Sequence, residues 1–125
     1  MRRTKPLPNL DQQAMRRHAG SAARLVRALS SEHRLLVLCA LSANELSVSQ
    51  LNEVVRLSPS ALSQHLAVLR RENLVQTRRE AQTIHYRVTP GIALDVVRLL
   101  HDHYCSTRAP AERRGARGGQ AQAAA

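Results

Sequence analysis

Apolar residues recur at helical spacing through the first half of the chain. Met15, Ala19, Ala22, Leu25, Val26 and Leu29 share one stripe, with Arg16, Arg17, Arg24 and Arg27 off it. This predicts a first helix from a cap at Asn9 to about Leu29. Ser30-Ser31 interrupts it. A second helix follows, with Glu32 in its first turn and Leu35, Leu36, Leu38, Cys39 and Leu41 behind. Ser47-Val48-Ser49-Gln50 has the capping-box pattern, a serine with glutamine three residues on, and opens a short third helix through Leu51, Val54 and Val55. Ser58-Pro59 sets a capping hydroxyl before a proline at the first helical position, so a fourth helix runs to about Glu72. There the period changes to two. Residues 74–78 and 83–88 read as strands, with Ile84, Tyr86 and Val88 alternating with His85 and Arg87. Between them Arg79-Glu80-Ala81-Gln82 makes a polar tip without the glycine a tight turn prefers. Thr89-Pro90 repeats the cap-plus-proline device before a fifth helix carrying Ile92, Leu94, Val96, Val97, Leu99, Leu100 and Tyr104.

Four helices, a hairpin and a last helix give a mainly α domain with a small β-hairpin wing, the order of a winged helix-turn-helix (α1-α2-α3-α4-β1-β2-α5), over residues 9–105. The outer helices carry more apolar residues than a three-helix core requires. They are expected to join two copies in a homodimer.

Composition narrows the function. The chain has 125 residues and 43% hydrophobic residues, enough for one domain with a core. No apolar run approaches the 18 or so residues of a membrane span. The basic start, MRRTKPLPNL, is followed by no apolar segment of a secretory signal, so the expected compartment is the cytoplasm. Residues 1–8 and the Arg/Ala/Gly-rich stretch 106–125 lack the apolar content to order themselves and are expected to be disordered. The net charge is +10, and each end contributes +3. The remaining +4 lies wholly in residues 56–87, where Arg56, Arg70, Arg71, Arg78, Arg79 and Arg87 face only Glu72 and Glu80. Elsewhere in the body six basic residues balance six acidic ones. A local surplus on a folded segment suits nucleic acid; it also suits a plain solvated face.

The fourth helix separates these. At about 100° per residue, Leu62, Leu66 and Leu69 form a buried stripe. Ser60, Gln64, Ala67 and Arg71 fall opposite, Ser63 and Arg70 on one flank, and His65 nearer the buried edge. A small, polar outward face lets a helix approach base edges in the major groove. Gln64 is the candidate for a bidentate contact to adenine. Ser58, Ser60 and Ser63 are candidates for bases or phosphates, as is His65 at the edge, and Arg70 and Arg71 for phosphates. On the wing, Arg78 and Arg79 are the leading candidates, with Gln82, Thr83 and Arg87 behind. No glycine-rich phosphate loop or Ser–His–Asp motif suggests an enzyme, and no cofactor is expected.

These residues resemble the ArsR/SmtB family of bacterial winged-helix repressors. The resemblance covers about residues 20–105 and rests on ALSSEHRLLVLCAL, NELSVSQL, LSPSALSQHLAVLRRENLV and TRREAQTIHYRV, in that order. Within the family the chain is most similar to the HlyU/BigR branch of thiol-based, redox or persulfide-sensing regulators, including the ending LLHDHYC. The resemblance implies a homodimer on double-stranded operator DNA that loses affinity when its sensor is occupied. The family's soft-metal type carries cysteines where this chain has Ser47 and Ser49, which are poor ligands for such metals. Its zinc type uses carboxylates and histidines along the last helix. Asp95, His101, Asp102 and His103 do not keep that spacing, and His101, His103 and Cys105 alternate in a way that suits no single helix face. No metal site is expected. The resemblance further implies that Cys39 and Cys105 come together and are joined by a disulfide or longer sulfur bridge under a small oxidant or persulfide. By residue type alone, Cys39 reads rather as a small buried apolar side chain and Cys105 as a helix end without a role; the resemblance is what favours the sulfur pair. A regulator answering to a metal or to no inducer, and a protein-interaction module that binds no DNA, are the competing readings.

Overall fold

The computed structural model describes residues 9–106. The expectations for residues 1–8 and, past Ser106, for the tail lie outside the described residues. The elements are α1 (Gln12–Leu29), α2 (Glu32–Leu41), β1 (Leu46–Ser47), α3 (Val48–Val55), α4 (Pro59–Arg71), β2 (Val75–Glu80), β3 (Thr83–Val88) and α5 (Ile92–Cys105). No helix among the described residues is long and apolar enough to cross a membrane.

Local capping explains most boundaries. Ser31, Ser47 and Ser58 each accept the backbone N–H three residues on, and Ser47 completes a reciprocal box with Gln50. Two expected caps are displaced. Asp11, not Asn9, starts α1, its carboxylate accepting from the Ala14 N–H at 3.0 Å. A negative group also suits the positive end of the helix dipole. Thr89 does not cap α5. Its N–H donates to the Leu74 carbonyl at 2.9 Å, which keeps it in line with the strand before it. Gly91 then turns the chain at φ 148° and starts α5 without a side-chain cap.

The wing is larger than a hairpin. β1 pairs antiparallel with β3, Leu46 opposite Tyr86 and Ser47 opposite His85, giving a three-stranded sheet in the order β1-β3-β2. The hairpin loop is only Ala81-Gln82, because β2 runs on to Glu80 opposite Thr83. Ala81 takes the left-handed φ of 57° that glycine would adopt without strain.

The core joins α2, α3 and α4 through Val37, Leu38, Leu51, Leu62 and Leu69, all essentially inaccessible. Tyr86 and Val75 bring the sheet to it, and Ala93 and Val97 bring α5. Arg34 ties α1, α2 and α4 together. Its Nε donates to the Ala28 carbonyl at 2.7 Å and its Nη2 to the Arg27 carbonyl at 3.2 Å, satisfying the end of α1. Its Nη1 lies 3.2 Å from Nδ1 of His65. Since guanidinium only donates, His65 must accept there as the neutral ring. Burial, then the charges of Arg34 and His33, push the His65 pKa below the ordinary imidazole value. The unfolded chain therefore takes up this proton more readily than the folded one. His65 supports the fold fully above its unfolded pKa of about 6.5, and that support is lost as the pH falls. A His65→Gln variant should lose less thermal stability than the parent on going from about pH 7.5 to about pH 5.5 in a melting series. Equal losses would show that this ring does not carry the dependence.

Candidate nucleic-acid interface

The turn between α3 and α4 sets the direction of α4. Arg56 closes α3 in the left-handed region at φ 57°, its N–H donating to the Asn52 carbonyl at 2.9 Å. The Asn52 side chain then holds Leu57 from both sides, Nδ2 donating to its carbonyl and Oδ1 accepting from its N–H, each at 2.8 Å. Ser58 follows as the cap of α4, accepting from the Ala61 N–H at 3.2 Å. Leu62, Leu66 and Leu69 face inward at 1%, 3% and 0% exposure. Ser60, Ser63, Gln64, Ala67, Arg70 and Arg71 are exposed. His65 is half-buried and turned to α2, where Arg34 and His33 meet it.

The wing divides its arginines by face. Neighbours in a strand point to opposite sides, so Arg78 and Arg79 part company. Arg78 shares a face with Gln76 and Glu80, opposite His85, Arg87 and Thr83. Its Nη2 pairs with Glu45 at 2.7 Å and its Nη1 with Glu80 at 3.2 Å. The hydrogen bonds from Arg78 hold the Glu45 carboxyl below its usual range, and the two carboxylates raise the Arg78 guanidinium in turn. Arg87 donates from Nε to Gln76 at 2.9 Å across the strands. Arg79 is exposed near the tip with no ion pair among the described residues, and Gln82 is exposed in the loop itself. Asn52, Glu45 and Gln76 are parts of this surface that the sequence reading passed over. Strand register would have paired Gln76 with Arg87. Glu45 and Arg78 are 33 residues apart, and no local signal joins them.

Both cysteines are free thiols, Cys39 half-buried and Cys105 exposed. They line one groove of about 390 Å3 between α2 and α5. Leu35, Leu36, Val97, Leu100 and Tyr104 form its apolar walls, with Glu32 and His101 as its charged or titratable members. The outer helices also expose large apolar side chains, Val26 at 63% and Leu99 at 67%, and the groove's own Tyr104 is 78% exposed. Among the described residues, no three or more His, Cys, Asp and Glu side chains gather as a metal would need.

Known proteins resemble this chain in sequence and in fold. The family model for the bacterial regulatory proteins of the arsR family matches residues 31–77, which run from the cap of α2 into β2. The transcriptional activator HlyU of Vibrio cholerae is 47% identical over 93 residues, covering 74% of this chain and 86% of that protein. The biofilm growth-associated repressor of Xylella fastidiosa is 34% identical over 104 residues, covering 83% and 91%. The solved structure of reduced HlyU from V. cholerae superposes with a TM-score of 0.71 at 47% identity, covering 74% of this chain and 98% of that one. A helix-turn-helix with a three-stranded wing, and relatives matched over most of their length, place this chain in the arsR family of bacterial regulatory proteins, as a DNA-binding transcriptional regulator.

Proposed function

We propose that the chain binds operator DNA as a homodimer and that a bridge between Cys39 and Cys105 switches its affinity. The observation that carries the first part is α4: a leucine stripe turned in, a small polar face turned out and arginine-bearing strands beside it. In this reading α4 enters the major groove, Gln64 meets adenine, and Ser60 and Ser63 meet bases or phosphates. The Ser58 oxygen caps the helix while its proton remains available to a phosphate. Arg70, Arg71, Arg79, Gln82 and Arg87 take the flanking backbone, and Arg78 joins them when phosphate displaces a carboxylate. His65 acts from behind by seating α4. The exposed apolar surface of α1 and α5 is the expected seam between copies, since large patches of this kind mark association sites. The matched relatives are by name an activator and a repressor of transcription, which agrees with a role at promoters.

The shared groove supports the second part. With a peroxide, the Cys105 thiolate attacks one oxygen, the O–O bond breaks and the other oxygen leaves as hydroxide or alkoxide; Cys39 then attacks the sulfur of the sulfenic acid and releases water to form the disulfide. With a persulfide, Cys105 takes the outer sulfur and releases a thiol, and Cys39 then releases hydrogen sulfide. Either route gives the same disulfide, which ties the end of α5 to α2. Coupling of about 1–3 kcal/mol would change DNA affinity about 5- to 150-fold.

Three measurements test this. Gln64→Ala should weaken operator binding by anisotropy about 5- to 150-fold, the worth of a bidentate base contact, and leave a random duplex unaffected; equal losses on both would remove Gln64 from base reading. Glu45→Gln should remove a carboxylate that phosphate must displace from Arg78, so operator and random duplexes should both bind about two- to fivefold more tightly, the worth of one exposed ion pair. Unchanged affinity would leave Arg78 with a purely internal role. Cys39→Ser should keep full operator affinity under peroxide or persulfide while the parent loses it and forms an internal bridge seen by mass; a variant that still responds would place the switch elsewhere.

A further inference from the structure

A second basic site lies beside α4, built from residues far from it in the chain. Arg24, Arg27 and Arg34 from α1 and α2 meet Arg71 of α4 around a cleft of about 270 Å3, with Ala28, Val68 and Glu72 completing its lining. Four guanidiniums thus face one carboxylate. Glu72 is shared between two of them: Arg24 Nε donates to both carboxylate oxygens at 2.8 and 3.0 Å, and Arg71 Nε lies 4.0 Å from one, which leaves Arg27 and Arg34 without a carboxylate partner among the described residues. The Arg34 guanidinium is held in place by the Ala28 and Arg27 carbonyls, so its charge is fixed at the cleft wall. Arg27 and Arg71 are exposed there, and with four arginines against one glutamate the lining suits an anion.

Position supplies the ligand. Arg71 lines the cleft and also lies on the outward face of α4 with Ser60, Gln64 and Ala67. Val68 and Glu72 lie on the adjoining flank, toward α2. A helix in the major groove has a phosphate backbone along each side, so this flank faces one strand and the wing side the other. We infer that the cleft of Arg24, Arg27, Arg34 and Arg71 holds a backbone phosphate of the duplex that α4 reads, as a clamp without sequence preference. The inference rests on the DNA-binding reading above and adds three arginines to it. Guanidinium suits this task, because its planar fork matches phosphate oxygens and its charge never titrates away. An anion so placed also offsets repulsion among the arginines that Glu72 leaves unbalanced.

Arg27→Ala is the cleanest probe, since its side chain is exposed and only its backbone carbonyl serves Arg34. A melting curve checks that the full-length variant folds. Anisotropy on an operator duplex and a random duplex, over a salt series, should show both weakened by the same factor, about five- to tenfold near 0.1 M salt. The slope of log affinity against log salt should be shallower by about 0.9. Unchanged slopes and affinities would overturn the clamp while leaving the reading of α4 intact. A loss confined to the operator would assign Arg27 to sequence reading and also overturn it. If inorganic phosphate raises the melting temperature of the parent but not of the variant, and the DNA slopes agree, the cleft holds a free anion and not the duplex. A parent with no salt-dependent duplex binding would instead overturn the functional reading itself.

Discussion

The burial of Leu62, Leu66 and Leu69 governs everything this surface presents. Each leucine removed from water is worth about 1.5–3 kcal/mol, and the three lie within one stripe of α4. Turning the helix by one residue in one sense would bury Ser63 and Arg70; in the other sense it would bury His65 completely. Either turn loses leucine burial and leaves polar groups unpaired at about 1–3 kcal/mol each. The phase of α4 is thereby fixed, and the small polar face points outward as the remainder. Asn52 and the Ser58 cap add the second constraint, the angle at which α4 leaves α3.

The features legible in the sequence are those decided within a turn or two of chain. The serine caps, the proline at the start of α4 and the apolar periods placed five helices and two strands. The misses have particular causes. Asn9 and Asp11 both fit a capping position, and only geometry separates them. Thr89-Pro90 has the form of a helix start, but the Thr89 N–H is drawn to Leu74 across the chain. β1 is two residues long and shows no period at all. At the site, the leucine phase identified the outward face of α4 correctly, because solvent and core impose it locally. The engagement of Arg78 by Glu45 was invisible, since charge counted along the sequence says nothing about which ions meet.

The same limit hides the basic cleft. Outside residues 56–87 the body of the chain is electrically balanced. Folding separates those charges, bringing Arg24, Arg27 and Arg34 to one side of α4 while Glu32 goes to the groove between α2 and α5. A neutral segment by composition becomes polar by placement. The two cysteines follow this pattern too: 66 positions apart in numbering, they share a wall only because α5 packs against α2.

Ser47 joins two parts of the molecule that are usually described apart. It is paired with His85 in the sheet and, in the same residue, caps α3. The ribbon is thereby tied to α3, whose turn sets the direction of α4, and this restrains its swing relative to the reading helix. In the proposed dimer, any mismatch of span would have to be absorbed elsewhere, by curvature of the DNA or by rotation of one copy against the other. A stiff gauge of this sort would discriminate by shape as well as by contact, and would carry a small displacement at the seam between copies to both points of touch.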